Sequence, residues 1–261
     1  MFEVKSRQVT RRGRAHAHRC EDESLVFSYN QIAVIIVFDG CSTGRDSYFA
    51  SGLFAKIFKK IAIQHKTFLE SINEESNLED VVHTLIELFF NELRYSFNYF
   101  VLDLTEILST IVLSAVNLKT KQSYSIIVGD GSIYIDGKIH TIKPTNENAP
   151  DYIAYYLTSL FSDVWKNNVY KYNFKIEKTI AVMSDGIDSF RNYDENRYIT
   201  DDEKDEIIKR FFESGFLLNN KIGLARICNI LDDKNIAPSD DLSIAHITFV
   251  EIIEDENEAV Q

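Results

Sequence analysis

At 261 residues, 45% of them hydrophobic, the chain can bury one large core and suits a single domain at least as well as two. Its 40 acidic against 28 basic side chains give a net charge of -12, a field that argues against a nucleic-acid binder dependent on phosphate contacts. Three widely spaced cysteines (Cys20, Cys41, Cys228), an N-terminus without an apolar leader and no run approaching the ~20 apolar residues of a membrane span point to a reducing, cytoplasmic setting.

Residues Phe2 to Thr10 alternate loosely and predict an edge strand, followed by the turn-like Arg12-Gly13-Arg14. Arg14 to Glu23 is dense in titratable groups, and a strand resumes from Leu25 to Tyr29. Asn30 turns the chain into Gln31 to Phe38, a mostly β-branched run that reads as a buried strand ending in Asp39-Gly40. A helix is expected after Gly44, with Asp46 or Ser47 as its cap and Phe49, Leu53, Ile57 and Ile61 on one face.

Ser76-Asn77-Leu78-Glu79 matches a capping box and opens a second helix with the apolar stripe Val82, Leu85, Phe89, Leu93, Phe97 and Phe100. From Glu106 the pattern shifts to short strands at Leu108 to Val116, Ser123 to Val128, Ser132 to Ile135 and Lys138 to Thr141, an antiparallel meander. Pro144 to Pro150 reads as a loop and Tyr152 to Trp165 as a short helix; Pro144 to Lys171 is a candidate recognition segment. Strands at Tyr170 to Ile176, Thr179 to Ser184 and Leu242 to Val250 bracket helical patterns at Asp202 to Phe212 and Ile222 to Leu231. The expected domain is 1–250, with 251–261 an acidic tail.

A single acid at a strand end has an ordinary use, because Asp shapes turns through its side-chain hydrogen bonds. Recurrence changes the reading. Asp22 precedes a strand, Asp39 ends one, Asp130 stands between two glycines at a turn, Asp185-Gly186 ends another strand, and Asp240-Asp241 precede the last. Strand ends of an antiparallel sheet can converge on one rim, where these carboxylates would raise one another's pKa unless cations intervened. Hard oxygen ligands of this kind suit Mg²⁺ or Mn²⁺.

The ordered series G-R-A-H-x-x-x-C-E-D, V-F-D-G, L-S-T-I-V-L-S-A-V, V-G-D-G, V-M-S-D-G and D-D-L-S-I resembles the metal-dependent protein phosphatases of the 2C type, in particular their bacterial branch, from about Gly13 to Val250. The resemblance implies an α+β fold, a four-layer α-β-β-α sandwich of two antiparallel sheets flanked by helices, with a binuclear Mn²⁺ or Mg²⁺ centre. It makes Asp39 the acid that bridges both metals, the Gly40 carbonyl a ligand of one, Asp22 the acid of the E-D pair, and Asp185 and Asp240 ligands of the other. Asp241 ranks second to Asp240, and Asp130 matches a position that helps to hold a weaker third ion. The implied reaction is hydrolysis of phosphoserine or phosphothreonine in a protein partner by a water ionised between the metals; the acidic balance and the lack of an apolar span add the expectation of no nucleic-acid or membrane partner.

Ala17 stands where many members hold the substrate phosphate with an arginine, and Cys41 where some carry a histidine. Arg14, His16, His18 or Arg19 could supply the missing charge, and His16 or His18 the leaving-group proton. Cys41 lacks a complete arginine cradle and reads as a turn residue rather than a nucleophile. Two rival readings remain at this point: an inactive regulatory module on the same fold, and a phosphoesterase acting on small molecules.

Overall fold

The computed structural model describes residues 2–143, 150–214, 220 and 222–251; most of the expected 144–150 loop and of the expected acidic tail lies outside them. The chain opens with strands β1 (Phe2–Arg11), β2 (Asp22–Tyr29) and β3 (Ile32–Asp39), then helices α1 (Ser47–Gln64), α2 (Lys66–Ser71) and α3 (Leu78–Tyr99). Strands β4 (Ile111–Asn117), β5 (Gln122–Val128), β6 (Gly131–Ile135) and β7 (Lys138–Ile142) follow, then α4 (Phe161–Asn167), β8 (Tyr170–Lys175) and β9 (Thr179–Met183). The short β10 (Phe190–Asn192) and β11 (Arg197–Tyr198) precede α5 (Asp201–Phe212), α6 (Gly223–Asp232), β12 (Ile236–Pro238) and β13 (Leu242–Glu251).

These strands form two five-stranded antiparallel sheets, ordered β2-β3-β4-β5-β8 and β1-β13-β9-β6-β7, and a small sheet β11-β10-β12. The pattern of β3 explains the layering. Ile32, Val34, Ile36 and Phe38 pack against α1 and α3, while Ala33, Ile35 and Val37 face the other sheet, so both faces are sealed. A strand buried on both faces has no polar face to show, which is why its sequence is continuously apolar. Val112, Ile127, Ile133, Val182 and Ile247 complete the layer between the sheets, and Phe211, Leu224 and Ile227 cover the far face of the second sheet with α5 and α6. The result is the four-layer α-β-β-α sandwich.

Several expectations are corrected. The inner face of α1 is Phe54, Ile57, Phe58 and Ile61, whereas Phe49 is exposed; Asp46 occupies the N-cap without a side-chain capping bond. The cap of α3 is Asn77, one residue later than expected, with its Oδ1 accepting from the Glu79 amide at 3.0 Å. Val82 through Leu93 of the α3 stripe are buried, but Phe100 lies beyond the helix and is exposed. The meander is divided: β4 and β5 belong to one sheet, β6 and β7 to the other, with the crossing at Gly129-Asp130-Gly131. Tyr152 to Trp165 is a 3₁₀ turn (Ile153–Tyr156) followed by the short α4. No helix among the described residues is long and apolar enough to cross a membrane.

Candidate metal centre

The register of the first hairpin places Asp22 directly opposite Asp39, at the same end of the first sheet. From the second sheet, Asp185 follows β9 in a 3₁₀ turn and Asp240-Asp241 lead into β13, the neighbour of β9. Ser184 locks these two turns together, donating its amide to the Ser243 carbonyl at 3.1 Å and accepting the Ser243 amide on its hydroxyl at 2.9 Å. Asp130 arrives at the crossover between sheets, flanked by Gly129 at φ 91° and Gly131 at φ 131°, a left-handed path that glycine takes without strain. Gly40 donates its amide to the Glu21 carbonyl at 3.1 Å and bridges Ser109, which fixes the turn after Asp39.

Close approaches hold the rim. A Cβ on Gly186 would lie 1.8 Å from the Asp241 carbonyl oxygen, and one on Gly13 would lie 2.2 Å from the Asp240 carbonyl carbon. Neither neighbour is a flexible side chain.

Electrostatics makes the cluster unusual. Asp22 and Asp130 are buried, and both Asp22 oxygens and Asp130 Oδ1 lack hydrogen-bond partners among the described residues. Burial is the largest effect on Asp22 and holds it well above the ordinary carboxyl range; Asp241, Asp185 and Asp240 add to it and the nearby Ser184 hydroxyl offsets only part. Asp39 keeps part of its surface open, yet burial and then the charges of Asp22 and Asp185 hold it well above that range too. Asp185 is raised by burial and by Asp240, with Asp39 offsetting part of the rise. Asp130 is pushed up to about 7, again mainly by burial. Desolvated carboxylates this close cannot all ionise alone, so protons or cations must balance them. The orphaned, buried oxygens of Asp22 on the first sheet and Asp130 at the crossover fit hard divalent ions.

The N-terminal loop of residues 12–21 closes one side. His16 Nδ1 lies 2.9 Å from Asp241 Oδ2, and its Nε2 lies 3.2 Å from Asp240 Oδ1. Burial alone would lower the imidazole pKa; the adjacent Asp241 carboxylate, with Asp240 and Glu21, outweighs it and raises it. Asp241 also accepts the Gly13 amide on Oδ1 at 2.6 Å and the Glu21 amide on Oδ2. Both its oxygens are therefore engaged, in contrast to those of Asp22. Ligand atoms of His16, Glu21 and Asp241 all lie within 4.8 Å of one another.

The sequence put His16 and His18 on an equal footing, but only His16 turns toward the acids; His18 is exposed. Arg14 is drawn away from the centre, 4.4 Å above the Tyr193 ring and 3.6 Å from Asp232. Sequence reasoning missed Tyr152, whose phenol is buried beside Cys41, Asp39 and Asp130 and is raised by burial above all. Nothing in its loop-like surroundings signalled it. Burial also raises the Cys20 thiol, with Asp22 and Asp241 adding to it, so Cys20 stays protonated. Two clefts open at this end: one of about 430 Å³ beside Asp130, Asp185 and Asp240, and one of about 450 Å³ beside His16 and Glu21.

Residues 12–216 match the family model described as protein phosphatase 2C. Among solved structures, a bacterial serine phosphatase carrying a point mutation superposes with a TM-score of 0.61 at 16% identity, covering 95% of this chain and 99% of its own. The serine/threonine phosphatase Stp1 from Staphylococcus aureus gives 0.58 at 15%, covering 97% and 96%, and RsbX in complex with magnesium gives 0.54 at 13%, covering 95% and 100%. No curated protein matches the chain significantly by sequence.

Proposed function

The chain belongs to the protein phosphatase 2C family, metal-dependent phosphoprotein phosphatases, and from that premise we propose that it removes phosphate from phosphoserine or phosphothreonine in a cytoplasmic protein, using two Mn²⁺ or Mg²⁺ ions. The observation that carries the reading is the gathering of acids from both sheets at one rim, where burial and mutual charge raise Asp22, Asp39, Asp130 and Asp185 and where the Asp22 oxygens and Asp130 Oδ1 are buried without a hydrogen-bond partner among the described residues. Asp39 would hold both ions, with Asp22 and the Gly40 carbonyl on one side and Asp185 and Asp240 on the other. Asp130, at the edge of the 430 Å³ cleft, would take a further, weaker ion. Bound there, the ions would supply Lewis acidity to the phosphoryl group and acidify a water at neutral pH.

The remaining work falls to the chain's own groups. Ser184 keeps the two acid-bearing turns of the second sheet in register. His16 ties the N-terminal loop to Asp240 and Asp241; with its oxygens also accepting the Gly13 and Glu21 amides, Asp241 would serve as a positioning acid, second to Asp240 as a ligand. His16, within 3.2 Å of Asp240 and 2.9 Å of Asp241, would be the imidazole that moves a proton at this rim, in preference to the exposed His18.

Hydrolysis of p-nitrophenyl phosphate and of a phosphoserine peptide, with and without Mn²⁺, tests the reading beside Asp39→Asn. The expected result is metal-dependent turnover in the wild type and a loss on the order of 10³-fold or more in the variant, with unchanged circular dichroism. Retained activity in Asp39→Asn would sink the assignment. Ala17, in place of a phosphate-holding arginine, favours a regulatory module as the second reading; metal binding by calorimetry without hydrolysis of either substrate would select it.

A further inference from the structure

Residues 11–19, Arg-Arg-Gly-Arg-Ala-His-Ala-His-Arg, carry four arginines and two histidines without an acid, in a chain of net charge -12. The structure assigns different tasks to these arginines. Arg11 and Arg14 pair with Asp232, and Arg12 Nη1 donates to the carbonyls of Ala17 and His18 at 3.3 and 3.4 Å, which shapes the loop from within. Arg19 makes neither an ion pair nor a hydrogen bond among the described residues. Its guanidinium lies 4.2 Å above the ring of Tyr48, exposed, on the wall of the 450 Å³ cleft.

A guanidinium laid on an aromatic face is held in orientation while its forked donors stay free, the arrangement that suits a planar carboxylate or another oxyanion. His18 lines the same cleft. So does Arg45, whose pairing with Asp103 at 2.7 Å is exposed on both sides, with 66% and 64% of each side chain open. An exposed pair of this kind is worth little and can be exchanged for an incoming anion. Two acids also line the cleft. Glu21 is turned toward His16, 4.0 Å from its Nδ1, and Asp46 is exposed at the start of α1. Asp22, Asp39, Asp130 and Asp185 do not line the cleft while His16, which contacts Asp240 and Asp241, does, so a group held by Arg19 would sit beside the centre rather than on its acids.

We propose that this cleft is a substrate-specificity site: Arg19 on Tyr48, with His18 and Arg45, takes acidic side chains flanking the phosphorylated residue, and so selects acid-flanked phosphoserine segments. The inference rests on the phosphatase reading for its substrate and not for the binding itself. A protein of net negative charge repels acidic segments in general, so this selection must come from the local basic wall and weaken with salt.

The test compares three phosphoserine peptides, flanked by glutamates, alanines or lysines, as ratios of kcat/KM in wild type and Arg19→Glu, with p-nitrophenyl phosphate reporting the centre alone. Wild type is expected to favour the glutamate-flanked over the lysine-flanked peptide by roughly tenfold at low salt, and Arg19→Glu to abolish or invert that ratio. If the variant lowers all three peptides and p-nitrophenyl phosphate together and leaves the ratio unchanged, Arg19 holds the reacting phosphate and the proposal is overturned. Binding of the same labelled peptides, followed by fluorescence polarisation with metal withheld, decides the matter without turnover. Selective binding lost in Arg19→Glu supports the site even if no phosphoester is hydrolysed, an outcome that would count against the phosphatase reading alone. Equal binding of the three peptides by wild type overturns the site.

Discussion

Two glycines in this chain make opposite predictions. Gly186 has the Asp241 carbonyl where its Cβ would go, so Gly186→Ala must displace the backbone that presents Asp240; a cost of about 1–3 kcal/mol and a lowered Tm are expected in thermal melts. Gly52, inside α1, has open space at that point, and Gly52→Ala should stabilise by up to about 1 kcal/mol. An unchanged Tm in the first variant would mean that the rim is far more compliant than its contacts suggest. At this scale the sequence was legible where chemistry and position coincide, since an acid at the end of an apolar run marks itself. It was silent where two similar residues are separated by distant contacts. Asp240 and Asp241 look alike in sequence, and what distinguishes them is the Gly13 amide, 228 residues away, bound to Asp241. His16 and His18 differ for the same reason: one meets Asp240 and Asp241, and the other meets solvent.

Among the elements, α1 and α3 are joined by an aromatic cluster in which Phe89 contacts Phe54 at 4.8 Å edge-on and Phe58 at 4.6 Å stacked. All three are fully buried, and Phe38 of β3 completes the group. Phe89→Ala would leave a cavity at that junction and should cost about 3–5 kcal/mol, read as a lower midpoint in urea with an unchanged slope. Strand existence was legible because β-branched runs bounded by turn residues have few other uses. Helix phase was less so: a strict four-residue spacing drifts from the 3.6-residue period, which is how Phe49 was placed on the inner face in place of Phe54 and Phe58. The division of the meander was hidden because Gly129-Asp130-Gly131 announces a turn without saying which sheet receives the next strand. The three-stranded sheet of β10, β11 and β12, with strands of two or three residues, is too short for any periodicity to register.

For the molecule as a whole, the acid cluster sets how stability responds to pH. Asp22, Asp39, Asp130 and Asp185 all have folded pKa values above the ordinary 3.8, so between that value and their raised ones the folded state binds more protons than the unfolded chain. Their contribution to stability is therefore present at low pH and is lost as the pH rises through the raised values, near 7 for Asp130. Divalent ions at the proposed site would replace those protons. Thermal melts in EDTA and in Mn²⁺ should show a larger stabilisation by metal at pH 8 than at pH 5; an equal gain at both would deny that metals and protons compete for these oxygens. The pairing of β1 with β13 carries a further consequence, for order of assembly. Thr10 and Ser243 share a hydrogen bond across 233 residues of chain, and the acids at the rim come from opposite ends of the sequence in the same way. During synthesis, Asp39 leaves the ribosome long before Asp240 exists, so with the ligand set proposed above the half-built rim would have too few ligands to trap a metal. Nascent chains stalled before Leu242 should accordingly stay protease-sensitive in Mn²⁺, and protection should arrive abruptly with the last strand.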